Sequence, residues 1–202
     1  MTDHLPTFVQ KRLVTNDKLS VAFRDLIDSP VDVLKEIKTK MDTEIKNWKA
    51  YYEEKKSGLT DVGKGKMQEE IRDFQLEIDR FQFGIDVITS YSMVQKSFIL
   101  MNKAFLETSK KYSTWRLFQI VFIVSLIPDI VACDESLMPP EDKEKTTLGC
   151  VSLLYFPTGG GKTEAFLGVL VFNLFFDRFR GKNSGVTSIL RLSLIHISEP
   201  TR

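Results

Sequence analysis

The chain has 202 residues, 43% of them hydrophobic and 27% charged, which is the composition of a folded globular chain of one or two domains. A net charge of +1 leaves no global basic footprint, which argues against a free-standing DNA-binding module but not against local contacts to a strand. Cys133, Cys150, His4 and His196 are the only cysteines and histidines and include no CxxC pair; this argues against a zinc site or disulfide framework and for a reduced, cytoplasmic compartment.

The opening residues, MTDHLPTFVQKR, hold no apolar signal core. Ser29-Pro30 predicts a helix start, with a capping residue before a proline in the first helical position. Behind it Leu34, Ile37, Met41, Ile45, Trp48 and Tyr52 recur at spacings of three and four, the apolar stripe of an amphipathic helix. Ser57 to Gly65, with three glycines, predicts a turn. Met67, Ile71, Phe74, Ile78, Phe81 and Ile85 repeat the pattern, and Ile88, Tyr91, Val94, Phe98, Met101 and Phe105 carry it on after an expected break at Gly84. Residues 1–112 therefore read as a mainly helical region with a helical hairpin over 30–85. The mixed-sign run Glu53-Glu54-Lys55-Lys56 reads as a solvated helix face, and the aromatic stripe as core.

Leu117 to Cys133 is the most apolar stretch, interrupted by Gln119, Pro128 and Asp129. It falls short of the roughly 20 apolar residues of a spanning helix, so it predicts a buried core helix and no membrane partner. The polar run Glu135 to Thr147, with Pro139-Pro140, predicts a loop. Cys150 to Phe156 is a short apolar run rich in β-formers and predicts a buried strand. A glycine loop follows, then an apolar helix from Lys162 or Thr163 to about Phe179, a turn over Gly181 to Gly185, and a second strand over Val186 to Leu190. Strand, loop, helix and strand together predict an α/β fold, in which the helical region is followed by the beginning of a parallel sheet.

The loop Phe156-Pro157-Thr158-Gly159-Gly160-Gly161-Lys162-Thr163 carries the chemistry. Glycines let backbone N–H groups turn around an anion, and a helix beginning at the loop aims its positive end at phosphates. Thr158, Gly159, Gly160 and Gly161 would supply that cradle. Lys162 would reach the β- and γ-phosphates of ATP, and the Thr163 hydroxyl would ligate Mg²⁺. The strict eight-residue pattern places glycine where this chain has Phe156, so flanking strand and helix are the context on which the reading depends. Cys133-Asp134-Glu135-Ser136 has the look of an acidic magnesium motif, but it precedes the loop and follows a helix, and it reads as linker.

The form Pro157-Thr158-Gly159-Gly160-Gly161-Lys162-Thr163-Glu164 resembles motif I of superfamily 2 DEAD/DEAH-type helicases. Such enzymes carry an upstream adenine-recognition element ending in aromatic-Gln, and Arg116-Leu117-Phe118-Gln119 resembles it. The resemblance implies that Phe118 packs on adenine, Gln119 hydrogen-bonds its edge and Arg116 supports the site. The bland alternative is the start of a core helix, but Gln so early in an apolar helix needs a polar partner and favours the functional reading. Together with Met101-Asn102-Lys103-Ala104 and Leu153 to Ala165, these blocks are similar to DrmA-type helicases of the bacterial DISARM anti-phage defence system, over roughly residues 98–191. The implied protein is an ATP-dependent helicase or translocase with nucleic acid, most readily DNA, as its track and other defence proteins as partners. Residues 113–191 would begin its RecA-like ATPase domain, with the second acidic motif and the arginines needed for hydrolysis lying downstream.

Leu192 to Arg202, LSLIHISEPTR, resembles the translation of a sequencing adapter, so the expectation is a truncated, catalytically inactive fragment of an active parent. Two other readings stay open from the residues: a P-loop ATPase acting as a regulatory switch, and a helical interaction module centred on 30–112.

Overall fold

The computed structural model describes residues 21–110, 112–134, 136–152, 154 and 161–189. Their elements are α1 (Phe23–Asp28), α2 (Pro30–Lys55), α3 (Asp61–Ser90), α4 (Ser92–Thr108), α5 (Leu117–Ala132), the short α6 (Pro140–Lys143) and α7 (Lys162–Phe179).

Pro30 opens α2 at its first position, where a missing N–H costs nothing. Leu34, Ile37, Met41 and Ile45 are buried along one stripe, and α3 folds back along it as a hairpin. Near the far end of the hairpin the two helices meet through the Trp48 and Phe74 rings, 5.1 Å apart, and through Lys49 Nζ, 3.1 Å from Gln75 Oε1.

The expected turn over 57–65 is shorter than its glycines suggest. Thr60 caps α3, its Oγ1 accepting from the Gly63 N–H at 3.2 Å, so Gly63 and Gly65 lie inside the first turns of the helix. A capping hydroxyl satisfies an otherwise orphaned N–H and outweighs the weak helix propensity of glycine. The break expected at Gly84 is also absent, since α3 runs unbroken to Ser90.

Gly84 is instead the point where α3 crosses α5: a Cβ there would lie 2.2 Å from the Val124 carbonyl oxygen. Val124 stands four residues before Pro128, which has no N–H to donate back to that oxygen. The missing side chain of Gly84 lets the α3 backbone close on this carbonyl.

Val94, Phe98, Met101 and Phe105 of α4, Ile120, Ile123, Val124 and Ile127 of α5, and Phe172 and Phe176 of α7 share one core with α1, α2 and α3. Among the described residues no helix is long and apolar enough to cross a membrane.

The expected α/β arrangement is not what the described residues adopt. They form helices and no strand, and their sole bridge is an isolated antiparallel one between Ala22 and Thr114. Cys150 to Ser152 and Val186 to Ile189 are irregular, with Val151 94% and Ile189 89% exposed; Leu153, Tyr155, Phe156 and Leu190 of the two expected strands lie outside the described residues. A buried parallel strand exists only where neighbouring strands complete its ladder. No strand stands beside either segment among the described residues, so their β-forming side chains face solvent.

Candidate functional site

The base of the site is built at the start of the chain's described part. Residues 21–23 run beside 113–115: Trp115 N–H donates to Val21 O and Phe23 N–H to Ser113 O, each at 3.0 Å. This pairing holds the segment that enters α5 two residues later, at Leu117.

Arg116 is the N-cap residue of α5, in extended conformation, and Gln119 is the third helical position. Gln119 Oε1 accepts from the Arg116 N–H at 2.8 Å, the side-chain-to-backbone half of a capping box. Its Nε2 donates to the Gly161 carbonyl oxygen at 2.7 Å, across 42 residues of sequence. A Gln in so apolar a helix requires polar partners, and these two bonds supply them to a residue only 4% exposed. Phe118 beside it is half-buried and Arg116 is exposed.

Gly161 is the N-cap of α7, with φ +89°, the left-handed region that favours glycine. The conformation favours glycine, and a Cβ at Gly161 would lie 2.7 Å from Gln119 Nε2 and displace that amide. Lys162 and Thr163 occupy the first two positions of α7, where backbone N–H groups have no intrahelical acceptor and the helix dipole is positive. Thr163 is exposed and Lys162 partly so. Thr158, Gly159 and Gly160 lie outside the described residues. Gly161, Lys162 and the exposed Thr163 thus stand together at the positive end of an 18-residue helix.

The segments that precede and follow α7 are tethered to α5 and to α7. Asp129 Oδ1 accepts from the Thr147 N–H at 2.7 Å and Oδ2 from the Thr147 hydroxyl at 2.5 Å, tying the approach to the loop onto α5. At the other end of α7, buried Asp177 receives Arg180 Nε at 2.7 Å, Lys182 Nζ at 2.9 Å and the Thr187 hydroxyl at 2.6 Å. Burial pushes the Asp177 carboxyl up, but the hydrogen bonds from Thr187, Lys182 and Arg180 outweigh it and hold it below the ordinary carboxylate value. Asp134, expected to be linker, accepts from the Ser136 hydroxyl at 2.7 Å and from Arg180 at 3.4 Å. The Ser136 hydrogen bonds lead in keeping its carboxyl below the usual value.

The structure thus brings Arg116, Phe118 and Gln119 to the same end of the molecule as Gly161, Lys162 and Thr163 through a direct Gln119–Gly161 bond. Sequence reasoning missed the Asp177 cluster and a buried bond between Trp115 and Asn102. Their only signal was a polar residue inside an otherwise apolar helical stripe.

No family model matches the chain. The chain is similar to the DISARM protein DrmA of Bacillus paralicheniformis, with 35% identity over 116 residues. The match covers 54% of this chain and 9% of that relative, so the chain spans less than a tenth of the relative's length.

Proposed function

We propose that this chain carries the phosphate-gripping part of an ATP-dependent helicase or translocase that acts on nucleic acid in a DISARM-type defence system. The observation that carries the reading is the Gln119–Gly161 hydrogen bond. It joins the aromatic-Gln element to the last glycine of the glycine-rich run, two stretches that a nucleotide site of this kind needs side by side. The similarity to DISARM protein DrmA supports the defence context.

In this reading Gly161 and the loop before it cradle the phosphates, Lys162 neutralises the β- and γ-phosphates, and Thr163 holds Mg²⁺. Phe118 and Arg116 lie toward the base. Gln119 already bonds Arg116 and Gly161, and its first task is to hold the loop's end in place; its remaining N–H and lone pair are what it can offer adenine.

The test is equilibrium binding of a fluorescent ATP analogue with Mg²⁺ to the 202-residue chain. Lys162→Ala should weaken binding by about tenfold or more, the loss of a charge-assisted contact to phosphate. In the longer protein the same substitution should abolish nucleic-acid-stimulated ATP hydrolysis. Equal binding by both chains removes the reading.

A further inference from the structure

The end of α7 that meets Gln119 is also braced from behind. Asn102, on α4, is fully buried; its Nδ2 donates to Phe98 O at 2.9 Å and its Oδ1 accepts from Trp115 Nε1 at 2.8 Å. The Trp115 ring, 2% exposed, lies 5.2 Å from the Phe23 ring and 4.4 Å from the Phe105 ring. One nitrogen bond and two ring contacts leave the indole a single orientation.

That indole is part of the wall on which α7 seats. A Cβ on Gly168 would lie 3.1 Å from Trp115 Cη2 and 2.4 Å from Ile123 Cδ1, so α7 lies in close contact with both side chains. Gly161 and Gly168 are seven residues apart, close to two helical turns and therefore near the same face of α7. One meets Gln119 and the other meets Trp115, four residues apart at the entry to α5. The phosphate loop's helix is thus registered at two points against a single short stretch, 115–119, and that stretch is locked to α4 through Asn102.

We propose that Asn102 and Trp115 are positioning residues for the nucleotide site: the Asn102–Trp115 bond orients the indole on which Gly168 seats, and so sets Gly161 and Lys162 relative to Gln119. This rests on the ATP-binding reading above and deepens it. A pair that serves only folding would change stability and leave nucleotide affinity alone. A positioning pair changes affinity at temperatures where the chain is fully folded, because a phosphate cradle tolerates little displacement.

The experiment uses the full chain in a Trp48→Phe background, which leaves Trp115 the sole tryptophan. Saturating Mg²⁺ and ATP should change Trp115 emission, and Lys162→Ala should remove that change. Asn102→Leu deletes the acceptor, and Trp115→Phe deletes the donor while keeping a ring. With helical circular dichroism intact, each should weaken binding of the fluorescent ATP analogue about tenfold, as expected when a buried polar partner is orphaned. Wild-type affinity in both variants overturns the proposal and leaves the ATP reading standing. Failure of the unsubstituted chain to bind the analogue overturns both. If neither variant folds, the emission experiment decides: binding without any change in Trp115 emission also overturns it.

Discussion

The side-chain amide of Gln119 donates a 2.7 Å hydrogen bond to the main-chain carbonyl of Gly161, joining the first turn of α5 to the N-cap of α7. Its other end accepts from the Arg116 N–H at 2.8 Å, so one buried amide bridges two helix starts. Replacing it leaves a carbonyl and an N–H without their partner.

Gln119→Leu keeps the volume and loses both bonds. The expected cost is about 1–3 kcal/mol in urea unfolding, from two newly unsatisfied backbone groups. Binding of the fluorescent ATP analogue should fall in parallel, and an affinity equal to wild type would remove Gln119 from the site.

Gly161→Ala places a Cβ 2.7 Å from Gln119 Nε2 in a residue whose φ is +89°. The left-handed backbone alone costs a side-chain-bearing residue about 1–2 kcal/mol. Nucleotide binding should fall more than overall stability does, because the strain sits at the mouth of the loop. Comparing calorimetric binding with urea midpoints checks this.

Gly84→Ala sets a methyl 2.2 Å from the Val124 carbonyl oxygen, on rigid backbone that cannot swing aside. Helices α3 and α5 must separate, and overpacking of this kind costs about 1–3 kcal/mol or more. The loss should appear in the urea midpoint. An unchanged midpoint would show that α3 and α5 can part without cost at this crossing.

Asp177 is held below its ordinary value, so its contribution is present above the unfolded carboxyl value of about 3.9 and lost as pH falls through the lower folded value. The tether from α7 to the 181–188 turn should therefore hold at neutral pH and loosen only below about pH 4. Asp177→Asn should lower stability at neutral pH by about 1.5–3 kcal/mol, the range for hydrogen bonds to a charged group. It should also flatten the acid limb of the profile. Parallel profiles for the two proteins between pH 3 and pH 7 would contradict this assignment.

The helices were legible because their signal is local. The spacing of Leu34, Ile37, Met41 and Ile45, or of Val94, Phe98, Met101 and Phe105, writes a buried face at the period of the helix itself, and α2 and α4 bury those residues. The Ser29-Pro30 start of α2 and the Lys162 start of α7 were legible for the same reason. Gly63, Gly65 and Gly84 misled because glycine is weak in a helix on propensity alone, whereas a Thr60 cap and a close crossing decide their place.

By itself the sequence determined the buried stripes of α2 and α4, the apolar run of α5, and that Lys162 and Thr163 open a helix after a glycine-rich run. Only the tertiary structure decided that Cys150 to Ser152 and Val186 to Ile189 pair with no strand among the described residues, and that Gln119 finds its partner 42 residues away. The reason is physical. A helix closes its hydrogen bonds within four residues, while a strand ladder or a buried amide depends on whatever distant segment the packing brings beside it.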